Sequence, residues 1–467
     1  MAPNMVEPKD PIVAALKKDV LDTVAPNICH GTVRLDPSEG ALFYKDGNSE
    51  SRYLDFTSGA LKDEDIQRLV EASERATFGR NNEDVLDESY RKAWKMDISQ
   101  FASQFDVSKT GILDIVHDQL LHYSKSTKNL EAHLYKLNVY GPGSFFKPHV
   151  DTPRSDKLFA TLVVVLPTVH AGGNLLLGEN GALLNFDSAK QVYDPEAKAP
   201  RVAFVAFYSD IEHQVLPVES GYRVTLTYNL HFSEFDGPLM LKSLSSASFT
   251  TVLKSFATAI ASPSILPKGG ALGFGLLYRY PIDPKNTNLR EFTGALKGND
   301  ALLRAVCKVL GLEPSVKILY SGPSGDKFLS DEVTDGEDIS DLYGDGVPLK
   351  KKMRDAGGKL VVGYGDSASS SFKLPVVWVT QPSKMVTTDI AYMAYGNEAS
   401  LAFMYGDLVL VATFPPYRQR VQHLKENFPQ VLPKKILEDI EEVLKDFPGE
   451  DEEEEEEDSD EDYDGYY

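Results

Sequence analysis

"AFYSDIEHQVLPVESGYRVTLTYNL", Ala206–Leu230, is the stretch on which the reading of this chain turns. From Arg223 onward it alternates: Arg223, Thr225, Thr227 and Asn229 fall on one face of an extended strand, and Val224, Leu226, Tyr228 and Leu230 on the other. A polar face opened by a guanidinium is unusual inside a small barrel. An arginine buried there needs an anion, and its planar fork suits a carboxylate bidentately. Ten residues before Arg223, His213 follows an apolar run and directly precedes another strand.

Working outward, the same texture covers the chain from Ala132. "HLYKLNVY", "LFATLVVVLP", "GNLLLG", "ALLNF", "VAFVAFY", "HQVLPV" and "YRVTLTYNL" are seven β-type runs punctuated by Gly, Pro and Asp. That spacing predicts an antiparallel sandwich or barrel rather than βαβ units. Two helices precede it. One follows "YLDFTSGALKDEDIQRLVEASERATFG", capped at Ser58 or a neighbour, with Ile66, Leu69 and Val70 at helical spacing; the other lies in "GILDIVHDQLLHYS", with Ile112, Ile115, Leu120 and Leu121 apolar. The expected fold is α+β and β-rich: a double-stranded β-helix, or jelly roll, over about 131–232, with packing helices.

"FFKPHVDTP" lies within that region. Residues i and i+2 of a strand share a face, so His149 and Asp151 can reach one ion if the segment is extended. An HxD pair alone is weak, because the chain is rich in acids and has nine histidines. A second histidine must come from the same domain: His170, His213 or His231. His213 is the choice, because jelly-roll topology can return it against the strand of His149. His170 sits beside a glycine pair that suits a turn, and His231 lies past the last core strand. On "LYKLNVYGPG", alternation groups Lys136, Asn138 and Tyr140, and Tyr140 could hydrogen-bond a ligand beside the metal. "HAGGNLLL" places two glycines where a backbone comes close to something.

Composition bounds the rest. With 467 residues, 42% of them apolar, the chain can bury two cores. The expected organisation is an N-terminal extension over 1–50, the site-bearing domain over 51–240, a C-terminal α+β domain over 245–448 that could be a degenerate jelly roll, and a disordered acidic tail over 449–467. Beyond His231 only His423 remains, so the second half cannot build its own triad. The polar segment 78–97 is a candidate substrate lid.

Cys29 and Cys307 are the only cysteines, which excludes a disulfide framework and a thiolate metal site. The N-terminus lacks a basic leader followed by an apolar core, and no run of roughly 18 apolar residues occurs. The expectation is a soluble protein of the cytoplasm, the nucleus or both, with no membrane partner. The net charge is −22, but thirteen acids and no base lie in the tail from Glu450, which leaves −9 on the remainder. Direct nucleic-acid binding is not expected, since no basic stripe compensates this charge. The tail is a solubilising extension or a dock for a basic partner.

Taken together, HxD, a distal histidine and an arginine ten residues later resemble the iron(II)- and 2-oxoglutarate-dependent dioxygenases. From Ala132 to Phe232 the chain is similar to their prolyl 4-hydroxylase-like branch, in its long fungal and plant-type members. The resemblance rests on "YGPGSFFKPHVDTP", "GGNLLL" and above all H-x-V-x-P-V-x-x-G-x-R. It implies that His149, Asp151 and His213 ligate iron and that Arg223 pairs with the distal carboxylate of 2-oxoglutarate. Collagen-type members use lysine at that point. Tyr140 and Thr225 become candidate co-substrate contacts. It further implies Fe(II), with 2-oxoglutarate and O2 as co-substrates, ascorbate as a candidate auxiliary, and hydroxylation of an amino-acid side chain, prolyl in a protein or peptide, with succinate formed. The alternatives are a non-catalytic jelly-roll adaptor that uses the acidic tail, and a dioxygenase acting on a small molecule.

Overall fold

The computed structural model describes residues 10–23, 25–48, 50–58, 61–80, 83–121, 128–151, 158–178, 182–192, 199–236, 247–278, 280, 288–292, 296–322, 325–332, 349–363, 370–382, 406–431 and 440. Residue contacts divide the chain into two units. One comprises 26–240 apart from 123–125; the other combines residues up to 25 with those from 241 onward.

The strands that build the site-bearing unit are, in chain order, β1 (Ile28–Arg34), β2 (Glu74–Arg75), β3 (Arg91–Lys92), β4 (Trp94–Asp97), β5 (Lys128–Tyr140), β6 (Phe145–His149), β7 (Leu158–Val165), β8 (Leu175–Leu177), β9 (Leu184–Phe186), β10 (Arg201–Tyr208), β11 (His213–Val215) and β12 (Arg223–Asp236). Seven form a sheet in the order β1-β10-β7-β12-β5-β4-β2, and five form a second in the order β9-β8-β11-β6-β3. All these pairings are antiparallel, which makes a jelly-roll-type, β-rich domain.

After Arg201, β10 is apolar to its end because it is an interior strand, lying between β1 and β7. Every residue from Val202 to Tyr208 is buried. The helix Ile112–Leu120 packs on β1 and β10 through a face that buries Ile112, Val116 and Leu120. The Tyr208 hydroxyl donates to the Leu120 carbonyl at 2.6 Å, which satisfies an otherwise open C-terminal carbonyl of that helix. Each fully buried large apolar side chain contributes about 1.5–3 kcal/mol, so β10 is a strong anchor of the sheet. The earlier helix runs over Asp63–Glu71 and starts from Lys62, whose backbone N–H is accepted by Asp65, rather than from Ser58.

β5 and β12 pair with Tyr140 opposite Arg223 and Asn138 opposite Thr225. A register shift between Leu134 and Lys136 departs from strict alternation, and it brings both Tyr135 and Lys136 to the same cavity.

Two of these expectations are corrected. Residues 1–50 are not a single extension: the helix Pro11–Asp22 belongs to the other unit, whereas β1 pairs residue by residue with β10, Ile28 opposite Phe207 through Arg34 opposite Arg201. The reason is burial, since Val13, Leu16 and Val20 of the helix and Cys29 of the strand all lie in cores. His231 lies within β12, not past it, and stacks on His133 with ring centroids 4.7 Å apart. The candidate lid segment 78–97 holds the paired strands Phe78–Arg80 and Glu83–Val85 as well as β3 and β4.

The other unit contains a closed barrel of six strands, Gly270–Gly275, Glu313–Ser321, Lys327–Ser330, Lys359–Val362, Lys373–Thr380 and Gly406–Phe414. Two of its pairings are parallel, which the all-antiparallel pattern of a degenerate jelly roll does not contain. Its core joins Ala271, Leu319, Leu329, Val376, Val409 and Val411. The N-terminal segment is tied in by Asn299, which accepts from the Ala25 N–H at 2.6 Å and donates to the Thr23 carbonyl at 2.5 Å. Arg420 gives all five of its N–H groups to the carbonyls of Ile260, Ser262, Ile265, Leu266 and Pro415. The acidic tail, residues 383–405 and the acid-rich segment 333–348 lie outside the described residues. Among the described residues, no helix is long and apolar enough to cross a membrane.

Candidate metal and co-substrate site

β6 and β11 run antiparallel in the smaller sheet, and their pairing sets His149 directly opposite His213. The strand ends at His149, and Asp151 follows two residues later. One ligand atom from each of His149, Asp151 and His213 falls within 4.8 Å of the other two. The three expected residues are thus brought together, and among the described residues no other cluster of metal-binding groups occurs.

The local hydrogen bonds determine what these groups present. His149 Nδ1 lies 2.8 Å from the Lys147 carbonyl, and His213 Nδ1 lies 3.0 Å from the Ile211 carbonyl. A carbonyl can only accept, so both rings carry their proton on Nδ1 and offer the Nε2 lone pair. Phe146 stacks on His149, centroids 3.5 Å apart, and Phe207 packs at a tilt against His213, centroids 4.7 Å apart, which restrains both rings. Asp151 places Oδ1 3.9 Å from His213 Nε2 and accepts from the Thr161 hydroxyl, 2.6 Å away, on Oδ2. Two neutral imidazole nitrogens and one carboxylate oxygen make a donor set suited to ferrous iron.

Electrostatics agree with that state. Burial, reinforced by His213, pushes His149 down to about 3, so its ring is neutral near pH 7. Burial works against ionisation of Asp151, but His213 and the Thr161 hydroxyl outweigh it and hold the carboxyl below its ordinary value.

A cavity of about 490 Å³ opens over the triad, lined by Tyr140, Asn138, Arg223, Thr225 and Thr227 on one side and by Phe78, Tyr90, Arg91 and Phe146 on another. Arg223 is 1% exposed, and burial pushes its pKa down to about 10. Its Nη2 is buried without a hydrogen-bond partner. An unpaired buried guanidinium nitrogen costs free energy that an incoming carboxylate would recover, so the residue fits a dianionic co-substrate. Tyr140 lies beside it, with the guanidinium carbon 5.7 Å from the ring centroid, and the Thr225 side chain is buried next to it.

Other residues of the site were not legible beforehand. Arg91 crosses the cavity wall, donating to the Thr77 carbonyl at 2.6 Å and to Asn138 Oδ1 at 2.9 Å, with its guanidinium carbon 4.4 Å from the Phe146 centroid. Asn138 passes the chain on to Thr227 at 3.1 Å. Thr161 had one visible signal, as the single hydroxyl within the apolar run "LFATLVVV". His170 stands apart from the triad, and its Nε2 meets Ser188 Oγ at 3.1 Å.

Residues 135–231 match the family model of the 2OG-Fe(II) oxygenase superfamily. No curated protein matches the chain. Among solved structures, a Pseudomonas putida prolyl-4-hydroxylase is 18% identical, with 47% of this chain and 98% of that chain covered and a TM-score of 0.26. A Trichoplax adhaerens prolyl hydroxylase in complex with a hypoxia inducible factor peptide is 15% identical, with 48% and 90% covered and a TM-score of 0.27. A viral collagen prolyl hydroxylase from Paramecium Bursaria Chlorella virus-1 is 14% identical, with 30% and 80% covered and a TM-score of 0.20. These likenesses carry no information on substrate. The match to the 2OG-Fe(II) oxygenase superfamily, whose members use Fe(II), 2-oxoglutarate and O2, spans both histidines, Asp151 and Arg223 of this domain.

Proposed function

We propose that this chain hydroxylates an amino-acid side chain, and that the target is a prolyl residue of a protein or peptide. The observation that carries the proposal is the meeting, in one cavity, of a complete two-histidine, one-carboxylate set with a buried guanidinium that has an unpartnered donor. Bound there, Fe(II) with 2-oxoglutarate supplies the oxidative decarboxylation to succinate and carbon dioxide that activates O2 for C–H hydroxylation. His149 and His213 hold the metal through Nε2, and Asp151 completes the set while Thr161 fixes its other oxygen. Arg223 Nη2 takes the distal carboxylate of the co-substrate, flanked by Thr225 and Tyr140. The aromatic wall of Phe78, Tyr90 and Phe146 excludes water on the remaining side and suits a compact apolar ring. The segment 78–97 supplies Phe78, Tyr90 and Arg91 to that wall, which supports a substrate-covering role. A complete ligand set beside an orphaned cation speaks against a non-catalytic adaptor.

The test is iron-dependent succinate formation from 2-oxoglutarate, coupled to mass spectrometry of a cell lysate treated with the wild-type or the His149→Ala protein. A one-oxygen mass gain on prolyl residues is expected with the wild type alone. Turnover that survives in both His149→Ala and Asp151→Ala would overturn the site, and a gain confined to other side chains or to small molecules would overturn the prolyl assignment.

A further inference from the structure

Behind Arg223, on the side away from the cavity, lies a chain of buried polar groups that the site as described does not use. Arg223 Nε donates to Ser188 Oγ at 3.2 Å, and Ser188 Oγ lies 3.1 Å from His170 Nε2. His170 Nδ1 lies 2.8 Å from the Thr168 carbonyl. The direction of every proton follows. The carbonyl can only accept, so His170 carries its proton on Nδ1 and its Nε2 is an acceptor. Ser188 must therefore donate its hydroxyl proton to His170, which leaves a hydroxyl lone pair facing the Arg223 Nε–H. No other arrangement satisfies all three groups, and Ser188 and His170 are 1% and 8% exposed, so water cannot substitute freely.

The stem of Arg223 is confined as well. A Cβ on Gly173 would come within 3.1 Å of Arg223 Cδ and 2.9 Å of Val218 Cγ2, and the residue has φ +70°. Here is the close approach for which the glycine pair of "HAGGNLLL" leaves room. The short pairing of His170–Gly172 with Val218–Gly221 sets His170 opposite Gly221, two residues before the Arg223 strand. Neither His170 nor Ser188 lines the cavity.

We propose that Ser188 and His170 are positioning residues for Arg223: they engage its Nε edge from behind and so fix Nη2 towards the cavity, which makes the site selective for 2-oxo acids with a distal carboxylate. The inference rests on the proposed role of Arg223. Cut the relay, and the guanidinium keeps its charge but loses its orientation. Binding of 2-oxoglutarate then weakens, while binding of pyruvate, which carries the same 2-oxo acid head and no distal carboxylate, does not.

The experiment is anaerobic calorimetric titration of the full-length Mn(II)-loaded protein with 2-oxoglutarate and with pyruvate, for wild type, Ser188→Ala, His170→Phe, the double variant and Arg223→Ala. Ser188→Ala is expected to lower the 2-oxoglutarate-to-pyruvate affinity ratio by about tenfold, the size of one lost hydrogen bond to a charged group. His170→Phe should act in the same direction, and the double variant should lose no more than the Ser188→Ala protein, because the two residues form one relay. A ratio unchanged in Ser188→Ala while Arg223→Ala abolishes it overturns the positioning role and leaves Arg223 intact. A ratio unchanged in Arg223→Ala overturns the reading of Arg223 itself. Equal loss of both ligands in the Ser188 and His170 variants would make their role merely structural and would also overturn the proposal.

Discussion

Arg223 and Arg420 are buried to nearly the same degree, 1% and 3% exposed, in different units of the chain. Their donors meet opposite fates. Arg420 caps a ring of five carbonyls, some from the end of the helix Ala247–Ile260 and some from the turn at Leu266, whose backbone is left-handed with φ 46°. Arg223 makes one hydrogen bond through Nε and leaves Nη2 without a partner. A buried charge is costly unless it is paired and hydrogen-bonded. Arg420 meets that cost inside the fold, and Arg223 leaves it to be met by a ligand. The difference separates an arginine that holds structure from the one proposed above to pair with an anion.

The largest effect should come from breaking the satisfied member. Arg420→Ala strands five carbonyls in a closed environment, and a loss of about 4–5 kcal/mol is expected. Denaturant unfolding of the variant measures it. Arg420→Lys should rescue little, since an ammonium has three donors for five acceptors. A variant with wild-type stability would show that the carbonyl ring tolerates water.

Arg223→Ala should behave in the reverse sense. Removing an uncompensated buried charge costs little stability, whereas the affinity for 2-oxoglutarate should fall about 100-fold with the loss of a charge-assisted pair. Measured together, the melting temperature and the KM for 2-oxoglutarate decide it: a large drop in the first with no change in the second would make Arg223 structural, like Arg420.

A third effect concerns pH. Burial lowers His170 to about 4, with Arg223 adding to the shift. The folded protein then binds fewer protons at this site than the unfolded chain, whose histidine titrates near its ordinary value. Stability falls as pH drops from about 6.5 towards 4, by up to about 1.4 kcal/mol per pH unit for this one group, and this contribution is absent above pH 7. His170→Phe should flatten that part of the stability profile relative to wild type. Identical slopes in the two proteins between pH 6.5 and 4 would show that His170 is not held neutral.

The parts of the site that repeat with period two along a strand were legible in the sequence. His149 and Asp151 share a spacing, Arg223 opens an alternating run, and Tyr140 and Thr225 lie on the same faces as the groups that matter. Pairing across long separations was not legible. Nothing in "ICHGTVR" says that it will pair with "RVAFVAFY", and nothing near Ser188 says that it will reach Arg223, thirty-five residues away. The helix at Pro11–Asp22 could have been found: Asp10 as a cap, Pro11 in the first turn and Val13, Leu16 and Val20 at helical spacing are its signals. The bulge that turns Tyr135 inward depends on the strand opposite, so no local pattern could announce it.

The central claim is that His149, Asp151 and His213 bind ferrous iron and that 2-oxoglutarate chelates it beside Arg223. Anaerobic titration of the protein with Fe(II) and 2-oxoglutarate, monitored for the weak visible charge-transfer band of the chelate, tests it most directly. The band is expected in the wild type, absent in His149→Ala, and displaced to higher 2-oxoglutarate concentration in Arg223→Ala. A wild-type protein that binds both and develops no band, or a His149→Ala protein that retains it, would contradict the assignment.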